Sequence, residues 1–169
     1  EQFLVDSKID GNWGSEEMLL DIVAPFDLNK LRGKLVMEVG CGSGRILKNL
    51  LKYEPKKIIA IEPSAAISVA MENNKSAKDK IAFENIKGEE INKSEELDFC
   101  FSIGVLHHIP NADIVVKNIF NSLKKGGQGI FWTYGYEGNE IYLAIFNNLR
   151  RITRLLPDSI LRYLCSIIN

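Results

Sequence analysis

Neither sign of charge dominates this chain. Its 21 Lys and Arg residues stand against 22 Asp and Glu residues, leaving a net charge of −1 over 169 residues. No bulk electrostatic pull toward nucleic acid is expected from such a balance. Cysteine is scarce: Cys41, Cys100 and Cys165 are far apart, with no C-x-x-C pair. That excludes a disulfide framework and a zinc ribbon, and it points to free thiols in a reducing compartment, hence a cytoplasmic protein. No apolar run approaches the roughly 18 residues of a membrane span, and no signal peptide pattern opens the chain. Internal repeats and low-complexity tracts are also missing. The first residue is Glu1, without a methionine, so the sequence reads as part of a longer or trimmed chain. What remains is an ordinary globular composition, 46% apolar and 25% charged, sized for one domain.

The chain is organised around one stretch. An apolar run from Leu35 to Val39 ends in Gly40-Cys41-Gly42-Ser43-Gly44, and Ile46, Leu47, Leu50 and Leu51 follow at helical spacing. This is strand, glycine-rich turn and helix, with the helix N-terminus above the strand ends. A dinucleotide fingerprint would need its third glycine at position 45, for close helix–strand packing. Arg45 stands there instead. Glu38, at the strand end beneath the turn, would repel a pyrophosphate and attract a cation such as an α-ammonium group. A ligand with an amino-acid cation at one end and a nucleoside at the other satisfies both conditions.

Strands alternate with helices on either side of this unit. Strand 1 is expected at about 35–39, strand 2 at 57–61, strand 3 at 81–86, strand 4 at 97–103 and strand 5 at 129–134, after a Gly126-Gly127 turn. Helices are expected from Ser15, over 43–53, from Ser64 to Asn73, and from Asn111 with Ile114, Val115, Ile119, Phe120 and Leu123 on one face. The alternation calls for an α/β fold, a doubly wound and mainly parallel sheet with helices on both faces. Glu62, at the end of strand 2, lies 18 positions after Gly44. A carboxylate there can accept two hydrogen bonds from a ribose diol; it can also simply stabilise the helix N-terminus that follows.

Glu38-Val39-Gly40-Cys41-Gly42-Ser43-Gly44 resembles motif I of the class I S-adenosylmethionine (SAM) dependent methyltransferases. Phe101-Ser102-Ile103-Gly104-Val105-Leu106-His107-His108 is similar to the strand 4 end common in the small-molecule members of that family. The resemblance spans residues 33–135 at four ordered places, the turn before strand 5 included, where Lys125 replaces a usual proline. It implies a Rossmann-like methyltransferase fold and SAM as cofactor, with S-adenosylhomocysteine as product. It implies that Glu38, Gly40, Cys41, Gly42 and Gly44 cradle the methionine end, with Ser102 and Ile103 at its border. Glu62 and Pro63 would meet the ribose, Glu89 the adenine amino group and the Glu90 backbone a ring nitrogen. The only histidines, His107 and His108, become candidates for accepting a substrate hydroxyl proton, with His107 favoured as base and His108 as support. Either could equally be a loop-stabilising side chain.

The same stretch excludes alternatives. The Asn-Pro-Pro-Tyr and Asp-Pro-Pro-Tyr signatures of nitrogen methylation on planar groups are missing, and no strand 4 carboxylate supports the metal-dependent catechol type, so no metal is expected. The expected function is methyl transfer to oxygen of a small-molecule acceptor or a glycan or lipid precursor, with no nucleic acid involved. A non-catalytic SAM-binding regulator and a nicotinamide-dependent dehydrogenase compete with it. Seven strands are usual in the family and five are legible, so the sequence is expected to stop before the terminal hairpin. Residues 1–138 read as the SAM-binding domain and 139–169 as a helical cap or insertion of the same domain. Over 140–168 an apolar stripe beside Arg150, Arg151 and Arg154 suggests a homo-oligomer contact or a membrane surface.

Overall fold

The computed structural model describes residues 15–133 and, beyond them, Gly135, Ile145, Asn148, Thr153, Pro157 and Ile160. The chain divides into two units, Glu1–Thr133 and Tyr134–Asn169. The first carries the sheet. Of the second, Ile145, Asn148, Thr153 and Ile160 are helical; the cap expected over 139–169 otherwise lies outside the described residues, as do Cys165 and the three arginines.

Helix α1, Ser15–Val23, leads through a 3-10 turn, Leu28–Leu31, into strand β1, Leu35–Val39. Helix α2, Arg45–Leu51, then strand β2, Lys57–Ile61, helix α3, Ala66–Asn73, and strand β3, Ile81–Glu84, follow. Strand β4, Leu97–Ile103, helix α4, Ala112–Ser122, and strand β5, Leu123–Trp132, complete the unit. The five strands pair in parallel in the order β3-β2-β1-β4-β5. From β1 the chain winds first to one side, then crosses to β4 on the other. The switch point between β1 and β4 opens a crevice at the carboxyl ends of the strands, where open α/β sheets take ligands.

Alternation along the strands divides the core between the two faces. Val36, Ile58, Phe99 and Phe101 pack with Leu19 and Val23 of α1 and with Leu47 and Leu50 of α2. Met37, Val39, Ile59 and Cys100 pack with Val115 and Ile119 of α4. Phe26 fixes the first face, meeting the Phe99 and Phe101 rings edge-on at 5.2 and 5.9 Å. Burial on both faces explains why β1, β2 and β4 read as continuous apolar runs.

Three local expectations are corrected. β3 stops at Glu84, because the Asn85 side chain turns back to donate to the Glu62 carbonyl at 2.7 Å. β5 begins six residues earlier than expected: Leu123 pairs with Leu97 and Gln128 with Phe99, so Lys124 to Gly127 form a bulge within the strand and not a turn before it. On α4, Val115 and Ile119 are buried, but Ile114 and Phe120 face outward. No strand follows β5 among the described residues, and no described helix is long and apolar enough to cross a membrane.

Candidate cofactor site

The glycine turn is held by the strand beside it. The N–H groups of Gly40 and Cys41 both donate to the Ile61 carbonyl, at 2.8 and 3.0 Å, and Gly44 N–H closes the turn on the Cys41 carbonyl at 2.8 Å. Gly40 (φ +79°) lies against Val105, where an added Cβ would come within 2.4 Å of a methyl carbon. Gly44 (φ +81°) is equally confined, by the Asn74 amide and Ala70. Gly42 (φ +52°) differs: a Cβ there would meet no atom within 4 Å, so this backbone faces open space that a ligand can enter. Two asparagines at the end of α3 brace the turn. Asn73 donates to the Ser43 carbonyl at 3.1 Å, and buried Asn74 donates to Gly44 and Ala70 carbonyls at 3.2 and 2.9 Å.

Two carboxylates flank it. Glu38 is 2% exposed, and its Oε2 has no hydrogen-bond partner among the described residues. Burial, with the Glu62 charge adding to it, pushes its carboxyl from 4.5 up to about 8. Glu62 is instead partnered at both oxygens: Oε2 accepts from Gly42 N–H and Oε1 from Ser64 N–H, each at 3.0 Å. Cys41, in the turn, is buried and its thiol is pushed up to about 12 by burial and by both carboxylates. It is an inert packing group here.

A cleft of about 630 Å³ opens above the strand ends, in the size range of small-molecule sites. Its wall brings together Val39 and Gly40 from the turn, Glu62 and Pro63 after β2, Gly88 and Glu89 after β3, and His108 after β4. Within this frame the methyltransferase domain family matches residues 37–128, the span that runs from within β1 through β4 and contains every wall segment just named. The chain belongs to the class I SAM-dependent methyltransferase family.

Several curated relatives of this chain share one name. A tRNA U34 carboxymethyltransferase from Sulfurovum sp. is 32% identical over 79% of this chain and 44% of its own length. Another from Aliarcobacter butzleri is 27% identical over 81% of this chain and 45% of its own. The chain thus spans less than half the length of these relatives. Among solved structures, a SAM-dependent methyltransferase from Mesorhizobium loti superposes with a TM-score of 0.56 at 17% identity, covering 72% of this chain and 53% of that one, a likeness of fold. The relatives' names overturn the expectation of a small-molecule acceptor with no nucleic acid. The physical reason is that a net charge is a sum; it says nothing about how charge is distributed over a surface.

The residues fit the family's cofactor. The orphaned Glu38 oxygen is an acceptor waiting for a cation, and the open side of Gly42 admits close approach. The other candidates fall as follows. Glu89 is on the cleft wall, its loop tied down by Asn118, which donates to the Glu89 carbonyl at 2.8 Å. The Glu90 side chain caps the 3-10 turn Gly88–Glu90, its Oε2 accepting from Lys87 N–H at 2.7 Å, and the Glu90 N–H, expected to meet a ring nitrogen, donates to the Lys87 carbonyl at 3.0 Å. Ser102 is fully buried with its hydroxyl unpartnered among the described residues, and Ile103 is half-buried beside it. His107 and His108 are exposed on a 3-10 turn, Leu106–His108, with ring centroids 4.0 Å apart. His108 lines the cleft and His107 does not; desolvation and the neighbouring His108 lower the His107 imidazole from its ordinary value. Lys87, Val105 and Asn111 also line the cleft. Sequence reading gave them no site role: Lys87 lies on a loop outside the recognised motifs, Val105 was read only as part of the strand 4 motif, and Asn111 only as a helix start; the bracing asparagines gave no signal beyond their place at a helix end.

Proposed function

We propose that this chain is the cofactor-binding part of a cytoplasmic enzyme that transfers the alkyl group of a SAM-type sulfonium to an oxygen of a tRNA nucleoside. The observation that carries the cofactor assignment is the buried, unpartnered Glu38 oxygen beneath a glycine turn whose Gly42 is open to ligand. The shared name of the curated relatives supports the tRNA acceptor. Glu38 would receive the α-ammonium group, Glu62 the ribose hydroxyls, and Glu89 the adenine amino group across the cleft.

The bound cofactor supplies an electrophilic carbon whose leaving thioether is neutral and needs neither an acid nor a metal. The chain's own task is therefore to bind, align and exclude water. Alignment alone can lower the barrier by about 7–11 kcal/mol. A hydroxyl acceptor must also lose a proton, and His108, on the cleft wall, is the group within the site that can take it.

The test is to incubate the whole protein with labelled SAM and bulk tRNA and to follow both label in RNA and S-adenosylhomocysteine. Both should accumulate together. SAM binding without either product would reassign the protein as a regulatory SAM binder.

A further inference from the structure

The net charge of −1 conceals a division along the strand axis. At the carboxyl rim Glu62 and Glu89 line the cleft over buried Glu38, with Lys87 as the only lysine or arginine in the wall among the described residues. The amino rim is the reverse. Lys34 precedes β1, Lys56 and Lys57 open β2, Lys80 precedes β3, and Lys124 and Lys125 sit in the β5 bulge. Backbone pairing holds these starts in one line. Lys56 N–H donates to the Lys34 carbonyl at 2.9 Å, and Ile58 N–H to the Lys80 carbonyl at 2.8 Å. At β4 the place is taken by Asp98, which Lys34 and Lys124 share at 4.0 and 3.4 Å. One carboxylate between two lysines leaves net positive charge, and both side chains remain about half exposed, at 49% and 48%. Arg32 alongside is paired with Glu54, and Asp79, Glu95 and Glu96 temper the row; with Asp98 they set four carboxylates against its six lysines, so it stays net positive.

A second feature adjoins the β5 end. Asn92 to Glu95, Phe120 and the bulge enclose a hollow of about 770 Å³. Phe120 is 74% exposed, the barest large apolar side chain described. An exposed ring flanked by Lys124 and Lys125 matches what a nucleic acid requires: a stacking platform for a base and cations for its phosphates.

We infer that the amino rim of the sheet is an accessory docking surface for RNA, with the lysine row tracking the sugar–phosphate backbone and Phe120 stacking an unpaired base. The inference rests on the tRNA acceptor proposed above. Strands lie about 4.8 Å apart, so the row crosses the sheet as a basic edge, interrupted at β4 by Asp98. It lies at the opposite end of the strands from the cleft, so only an acceptor that extends well beyond its reacting nucleotide engages both.

The experiment measures tRNA binding to the whole protein across a salt series, for wild type, for the Lys56→Glu, Lys57→Glu, Lys80→Glu triple variant and for Phe120→Ala. The triple variant should bind tRNA at least tenfold more weakly, with a salt slope shallower by about two to three. Phe120→Ala should lose roughly five- to a hundredfold. SAM affinity and melting temperature should be unchanged in both. Unaltered tRNA affinity and slope in the triple variant, with wild type still modifying tRNA, would overturn the rim assignment and leave the acceptor standing. Wild type that binds SAM but neither binds nor modifies tRNA would remove both. Charge-dependent binding to phosphatidylglycerol vesicles in place of tRNA would overturn the RNA assignment in favour of an anionic membrane.

Discussion

The Glu62 carboxylate accepts a hydrogen bond from the Gly42 N–H at 3.0 Å, across 20 residues of chain. The acid at the end of β2 is thereby a brace for the turn after β1 as well as an acceptor facing the cleft. Each carboxylate oxygen has a further lone pair, so a ribose diol can be held without releasing the turn. Glu62→Ala removes both functions. Calorimetry should show SAM binding weakened by roughly 2–4 kcal/mol, the range for losing two bonds to a charged acceptor. The melting temperature should fall as well, and unchanged affinity would end the ribose assignment.

Gly40 and Gly42 should respond differently to alanine. In Gly40→Ala the new methyl group lands 2.4 Å from a Val105 carbon, on a backbone at φ +79°. Strain and clash together should cost about 2–4 kcal/mol of stability. In Gly42→Ala the backbone strain remains but nothing is struck, so denaturant unfolding should register only about 1–2 kcal/mol. The methyl group would instead occupy the ligand's approach, and SAM affinity should suffer more than stability does. Comparable losses of stability in the two variants would show that the open side of Gly42 has no functional meaning.

The motif that organises the fold was legible because each of its requirements is local. β1, β2 and β4 are buried on both faces, so mainly apolar runs such as Ile58 to Ile61 and Phe99 to Phe101 mark where these strands lie. β5 was misplaced because Gly126-Gly127 carries the signal of a turn, whereas pairing with β4 absorbs it as a bulge. The resemblance assigns Glu89 and Glu90 different roles, side chain and backbone, but the 3-10 turn that puts Glu89 on the cleft wall and engages both the Glu90 carboxylate and its N–H with Lys87 has no signal in the sequence. The lysine row was hidden for a similar reason. Its members are far apart in the chain and become neighbours only through strand register, which no count of charges contains.

His107 and His108 are separated by position in a way that their order did not reveal. His108 lines the cleft and His107 does not. If the imidazole takes the acceptor's proton, His108→Ala should lower turnover by about 10²–10⁴-fold with SAM affinity nearly intact. His107→Ala should have the smaller effect, through the ring packed 4.0 Å away. Single-turnover rates with tRNA distinguish the two. Turnover of the His108 variant within a few-fold of wild type would leave catalysis to alignment alone.

Glu38 links cofactor binding to pH. Its carboxyl titrates near 8 in the folded protein and at 4.5 ordinarily. Between those values the native state holds a proton that the unfolded chain has released, so its contribution to stability declines as pH rises through that window. Glu38→Gln keeps the shape without the charge. It should flatten this part of the stability profile and raise stability at pH 8 by on the order of a few kcal/mol, read from denaturant unfolding. The cofactor reverses the preference. An ammonium group beside Oε2 favours the ionised carboxylate, so SAM binding at pH 7 must expel the proton. Titration calorimetry in two buffers of different ionisation enthalpy should therefore give different apparent heats, corresponding to release of nearly one proton per SAM bound. The glutamine variant should show no such difference and should bind SAM more weakly, because its amide cannot meet the ammonium charge. Equal heats in both buffers for the wild type would mean that the ammonium group lies elsewhere and that Glu38 is only a buried, neutral acid beneath the turn.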